Sequence, residues 1–376
     1  MNEYLTIDVA NLKEKNAYWT AKEISQQPKV WREAQANVTK HKEAISAFLS
    51  PILARKNLRI ILTGAGTSAY VGETIAPHIS RETSLRCEAI STTEIVGAPE
   101  YYLSANHPTL LISFARSGNS PESLAAVELA NQIVNDCFHL VLTCNENGKL
   151  AQGTQNKNNA LSLIMPEGTL DESFAMTSSF TSMLVSALSI FTPCVQQLEH
   201  ACSAAEGILT EQLNSIKAKA EAETDRIVFL GAGPLLGIAR EAALKYLELT
   251  AGQVISYCES PLGFRHGPKS IVNNKTDIIL FQSSNSYTRH YNQDLNNEVI
   301  KDNIAASVTC LDDIIYHDTN SIADVWAGLP IIVYCQVLAF YKSIALNLTP
   351  DNPCPTGEVN RVVQGVTIYP FDKNHD

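Results

Sequence analysis

Two stretches of this chain repeat at one fixed spacing, and each ends in a glycine-rich turn. Residues 59–66 read RIILTGAG and residues 226–233 read RIVFLGAG; 109–120 read TLLISFARSGNS and 276–287 read TDIILFQSSNSY, again 167 residues apart. An apolar run closing in a Gly turn, repeated twice at one offset, predicts two copies of one α/β unit. The expected fold is therefore α/β, with two tandem units, each a doubly wound parallel sheet flanked by helices. The copies differ after the glycines. The first continues Gly64-Ala65-Gly66-Thr67-Ser68, whereas the second continues Gly231-Ala232-Gly233-Pro234-Leu235. Only the first has hydroxyls there, so the first is where an anion is expected.

With 376 residues there is chain enough for two cores. The boundaries read as a polar helical segment at 1–56, a first domain at 57–205 and a second domain with a tail at 206–376. The helical segment lacks a core of its own and is expected to pack on a domain or a partner subunit, with Pro28 near a helix start. The first domain reads as strands at 58–63, 85–90, 109–114, 138–143 and 160–164, then a helix over 177–191. A helical stretch over 195–224 leads into the second domain. There the strands are 226–230, 254–257, 277–282 and 307–310, and 366–369 is strand-like. The apolar stretch 329–346 contains Gln336 and Lys342 and reads as a buried core helix, not a membrane span.

A formal net charge of −11 argues against nucleic acid or an anionic membrane as a partner. The nine cysteines show no CxxC pair and no Cys/His cluster at zinc spacing. No metal or cofactor is expected. Without a signal-peptide pattern, they read as reduced thiols in a cytoplasmic protein.

Four stretches carry candidate chemistry. In the first, Gly66, Thr67 and Ser68 open a helix. Glycines let backbone N–H groups approach an anion, and the helix N-terminus adds a favourable dipole. Taken alone, this is equally a capped strand-to-helix turn. The second, Arg116-Ser117-Gly118-Asn119-Ser120-Pro121, follows the third strand, with Ser120 the expected N-cap. Two hydroxyl-rich turns at the carboxyl ends of strands one and three would meet at a switch point, where ligands of doubly wound sheets bind. That pairing favours a phosphate. In the third, Glu241, Lys245 and Glu248 share one helix face. Without other information they read as an exposed salt-bridge stripe. The fourth, His266-Gly267-Pro268, is a tight loop beside a histidine, and a lone histidine is more often structural than catalytic.

Taken in order, Gly-x-Gly-Thr-Ser, Ser-Gly-x-Ser, Glu-x-Ala-Leu-Lys-x-x-Glu and His-Gly-Pro resemble the sugar isomerase (SIS) family. From residue 50 onward the chain is similar to the isomerase half of glucosamine-6-phosphate synthase. The stretches 171–177 (DESFAMT) and 356–367 (TGEVNRVVQGVT) resemble a narrower branch, the galactosamine-6-phosphate deaminase/isomerase group, also named tagatose-6-phosphate ketose/aldose isomerase. The resemblance implies a phosphorylated amino-sugar substrate. It implies phosphosugar contacts at Gly66, Thr67, Ser68, Arg116, Ser117, Gly118, Asn119, Ser120 and Thr177. It gives Glu248 the proton transfer between C1 and C2, and His266 ring opening from a neighbouring subunit. Glu241 and Lys245 take supporting roles, and Glu172 sits on a loop that closes over the sugar. A homodimer or higher homo-oligomer with shared active sites follows. Two departures stand out. The synthase's Schiff-base lysine aligns best with Gln364, and Asn2 follows the initiator Met where the synthase carries its glutaminase cysteine. Glutamine is therefore not the expected nitrogen source. Two other enzyme readings are plain aldose/ketose isomerisation and deamination of glucosamine 6-phosphate. A sugar-phosphate-sensing regulator is a third reading, disfavoured by the acidic chain and the short N-terminal segment.

Overall fold

The first repeat folds into five parallel strands: β1 (Arg59–Thr63), β2 (Cys87–Ala89), β3 (Thr109–Ala115), β4 (Cys137–Thr143) and β5 (Ala160–Ile164), in the order β2-β1-β3-β4-β5. The second gives β6 (Arg226–Leu230), β7 (Ile255–Glu259), β8 (Thr276–Phe281) and β9 (Ser307–Leu311), in the order β9-β8-β6-β7. Both sheets are parallel throughout. The computed structural model describes residues 3–312, 322–357, 359–363 and 365–372. Asn2, Gln364 and Glu358 of the tail motif lie outside them.

The repeat extends to strand register. Arg59 pairs with Thr109 across β1 and β3, and Arg226 pairs with Thr276 across β6 and β8. Every residue of β1, β3 and β8 is buried, as parallel strands covered on both faces require. Each predicted strand of the two sheets is found within one or two residues of its expected ends. In the second sheet, Val228, Leu230, Ile278 and Leu280 pack with Phe264, Leu295 and Val299.

The chain packs as two compact units, both discontinuous in sequence. One comprises 1–32, 171–181 and 194–356; the other comprises 33–170, 182–193 and 357–376. These are not the sequential stretches 1–56, 57–205 and 206–376. The N-terminal helices divide between the units, with Tyr18–Ser25 in the one and Lys42–Leu53 in the other. Pro28 is the second residue of the Gln27–Lys40 helix.

The expected 366–369 strand does not form. Residues 365–372 are irregular, with Tyr369 80% exposed, and Phe371 packs on the cluster of Ile61, Leu111, Ala126 and Leu129. The segment lines a cleft with the helices Thr92–Gly97 and Pro121–Ile133. A helical surface has no free ladder of N–H and C=O groups to recruit a strand. The apolar stretch near the C-terminus is one helix, Asp324–Ala345, starting five residues before the expected range. It is long and apolar enough to cross a membrane, but 94% of its most apolar window is buried in the protein.

Candidate active site

The turns after β1 and β6 share one backbone. Gly66 takes φ 54° and ψ −128°; Gly233 takes φ 57° and ψ −129°. Both are left-handed angles that favour glycine. A Cβ on Gly64 would lie 2.6 Å from the Ser68 backbone carbon, and one on Gly231 would lie 2.3 Å from the Leu235 oxygen. The same tight turn is thus built twice, and only the side chains beyond it differ. Thr67 and Ser68 begin a helix and are 4% and 5% exposed; their counterparts are Pro234, which has no N–H, and the fully buried Leu235.

The loop after β3 is braced from below. Gly118 takes φ 67°, Asn145 Nδ2 donates to Ser117 O at 2.9 Å, and Leu150 N donates to Gly118 O at 3.0 Å. Asn119 is exposed, and its Oδ1 accepts from Lys149 N at 3.0 Å. Ser117 Oγ accepts from Asn119 N at 3.3 Å. Ser120 is the N-cap residue of the Pro121–Ile133 helix, as predicted. Its hydroxyl makes no capping bond and donates to Ser123 Oγ at 2.6 Å. Arg116 is 7% exposed, and its Nη2 donates to Arg361 O.

The equivalent loop of the second sheet already holds a carboxylate. Ser283 Oγ donates to Asp324 Oδ2 at 2.6 Å, and Ser284 donates to Asp324 Oδ1 through its N–H and its hydroxyl. Asp324 opens the long C-terminal helix. A carboxylate of the chain itself therefore bonds the serines of this loop.

On the Pro234–Leu249 helix the exposed-stripe reading is overturned. Glu241 and Lys245 are fully buried, and the Glu248 side chain is 22% exposed. Lys245 Nζ lies 3.6 Å from Glu241 Oε1 and donates to Glu248 Oε2. The i, i+4, i+7 spacing was right, but the face points inward, among apolar residues of the same helix such as Ile238, Ala242 and Leu249. Charges that deep persist only when paired.

His266 is exposed, follows the short Pro261–Phe264 helix, and its N–H donates to Gly263 O at 2.9 Å. Gly267 takes φ 121°, which only glycine adopts readily, and Pro268 begins a 3₁₀ turn. Glu172 is exposed on its loop. Thr177 is fully buried, with its N–H donating to Asp171 Oδ2 at 2.8 Å and its hydroxyl to Asp171 Oδ1 at 3.4 Å. Thr177, expected to contact the sugar, thus lies at the start of the Ser178–Phe191 helix and is bonded to Asp171. Ser68, Arg116, Ser117 and Ser120 lie in the unit of the first sheet; Glu172, Glu241, Lys245, Glu248 and His266 lie in the unit of the second. Among the described residues, no group of three or more His, Cys, Asp and Glu side chains could hold a metal ion.

The SIS domain model matches residues 52–193. The D-galactosamine-6-phosphate deaminase AgaS of a Shewanella species (strain ANA-3) is 55% identical over 98% of this chain and 96% of its own length. The chain belongs to the AgaS family of SIS-domain proteins. A member from Escherichia coli O157:H7, also described as D-galactosamine-6-phosphate deaminase AgaS, is 45% identical over 94% of this chain and 96% of its own. The crystal structure of tagatose-6-phosphate ketose/aldose isomerase from Escherichia coli superposes with a TM-score of 0.87 at 43% identity, covering 94% of this chain and 97% of that one. The fold is that of SIS-type α/β proteins, and membership of this family makes the chain an enzyme of the phosphosugar deaminase/isomerase type.

The sequence reading gave no role to three carboxylates, Asp171, Glu23 and Asp324, that bond to backbone or side-chain donors. Asp171 accepts from the N–H groups of Thr177, Ser178 and Ser179 and caps the Ser178–Phe191 helix from outside it. Glu23 and Asp324 bond to residues far along the chain. For Asp171 a signal was present, since an Asp shortly before Thr-Ser-Ser is a helix-start composition. Glu23 and Asp324 leave no local signal.

Proposed function

We propose that this protein deaminates and isomerises galactosamine 6-phosphate, giving tagatose 6-phosphate and ammonia. The observation that carries the reading is Glu248, a partly exposed carboxylate held by the buried Lys245. The AgaS relatives support the substrate. The turns after β1 and β3 supply the phosphate site through Gly66, Thr67, Ser68, Ser117, Gly118, Asn119 and Ser120, with Arg116 beside them. That hold positions the sugar at a distance from the reacting carbons. His266 assists ring opening, from a neighbouring subunit of a homo-oligomer. Glu248 then takes the C2 proton of the open-chain aldose and returns it at C1. The resulting C2 imine adds water and expels ammonia, leaving the ketone. The sequence is redox-neutral: water enters and ammonia leaves. Lys245 and Glu241 orient Glu248, and Glu172 rides on the loop that closes over the sugar.

On this reading the net reaction is hydrolysis of a C–N bond with an aldose–ketose rearrangement inside it. The second sheet is a diverged second SIS copy, and the protein works in the cytoplasm. The deciding experiment measures ammonia release from galactosamine 6-phosphate, glucosamine 6-phosphate and their N-acetyl forms side by side. Release from galactosamine 6-phosphate at the highest kcat/KM is expected. Aldose–ketose interconversion without ammonia would sink the deaminase reading and leave the plain isomerase.

A further inference from the structure

Two buried carboxylates stand behind the 171–177 loop, and their surroundings differ. Asp171 accepts from the N–H groups of Thr177, Ser178 and Ser179 and from the hydroxyls of Thr177 and Ser179. That is the environment of an ionised carboxylate. Glu23, 3% exposed on the Tyr18–Ser25 helix, accepts from Glu172 N at 2.6 Å through Oε1. Its Oε2 lies 2.5 Å from Ser173 Oγ, and both oxygens are 3.3–3.4 Å from Ser173 N. Ser173 Oγ is also 2.9 Å from Ala175 O, which can only accept.

A hydroxyl carries one hydrogen. If Glu23 is ionised, the Ser173 hydrogen serves either Glu23 or Ala175 O. If Glu23 carries a proton, Glu23 donates to Ser173 Oγ, Ser173 donates to Ala175 O, and both contacts are hydrogen bonds. We propose that Glu23 is a neutral carboxylic acid in the folded protein, and that this acid latches the loop as the positioning residue for Glu172. Burial first, and then the charge of Asp171, push the Glu23 carboxyl up to about 8.

The other charged groups near this helix are engaged or point outward. Lys13 and Lys22 stack on Tyr18, and Lys22 also stacks on Trp19. Asp351 accepts from the N–H groups of Trp19 and Thr20. Lys342 of the long helix donates to Ala222 O at 2.7 Å. Glu3, Lys29 and Glu172 are exposed.

A carboxyl whose pKa is raised on folding adds stability that is complete below its unfolded value of 4.5. That stability is lost as the pH rises through about 8. The test follows Tm against pH for the wild type and Glu23→Gln, whose amide can donate to Ser173 Oγ without titrating. Across this window the wild-type Tm should fall relative to the variant's. An infrared titration of the wild type should show a protonated-carboxyl carbonyl band at neutral pH that fades as the pH rises through about 8. This arm needs no variant to fold. Parallel Tm curves, or no such band, would overturn the neutral acid.

The positioning role rests on the site reading given to Glu172. Glu23→Gln should keep kcat, while Glu23→Ala should lose up to about 100-fold in kcat with a smaller change in KM. If the band and the Tm curves behave as stated and Glu23→Ala keeps full kcat, the positioning role falls and the neutral latch stands.

Discussion

Ser284 donates to Oδ1 of Asp324 twice, through its N–H at 2.7 Å and through its hydroxyl at 2.9 Å. The carboxylate is part of the chain and arrives on the first residue of a 22-residue helix. The loop after β8, the counterpart of the loop after β3, thus has its polar partner built in.

Ser117→Ala and Ser120→Ala should therefore raise KM for the phosphosugar strongly, while Ser283→Ala and Ser284→Ala leave it unchanged. The second pair should instead lower stability, by about 1.5–3 kcal/mol for each hydrogen bond to a charged group. Steady-state kinetics and urea unfolding on the same four proteins separate the two effects. Equal KM changes in both copies would mean two ligand sites.

Glu248→Gln keeps the side-chain shape and cannot accept a proton. Its turnover should drop about 100- to 10,000-fold with little change in substrate binding. In D₂O the wild type should place deuterium at C1 of the ketose, and the variant should not. Near-normal turnover would move the base elsewhere, with Glu172 the next candidate.

Lys245→Met removes one member of the buried Lys245–Glu241 pair. A loss of about 3–5 kcal/mol in unfolding free energy is expected. A surface stripe would give roughly 0–1 kcal/mol, so the measurement also tests the burial itself.

Mixing inactive Glu248→Gln with inactive His266→Ala protein should restore part of the activity once subunits exchange. The motivation is an exposed histidine on a Gly-Pro loop. Absence of recovery under proven exchange would place His266 in its own subunit's site.

Much of this was legible from residues alone. β5 and β6 fall on the residues predicted for them, because short apolar runs bounded by turn residues leave few alternatives. Ser120 reads as a cap because Pro121 fixes the start of the helix. Periodicity placed Glu241, Lys245 and Glu248 on one face, but it states spacing and not direction. A charged face is assigned to solvent by default, and here it is buried. The 366–369 segment alternates like a strand, yet it meets helices, which offer no edge to pair with.

The sequence by itself determined the two parallel sheets, the repeated glycine turns and the hydroxyls that distinguish the first from the second. Each of these is written in contiguous residues, where sterics and local hydrogen bonding act. Only the tertiary structure decided what pairs with what. Asp324 reaches Ser283 and Ser284 from some 40 residues away, and Glu23 reaches Ser173 across 150. Whether a carboxylate is ionised, buried or a cap depends on the dielectric and the donors around it. Those are supplied by segments distant in the chain, brought together only when the core closes.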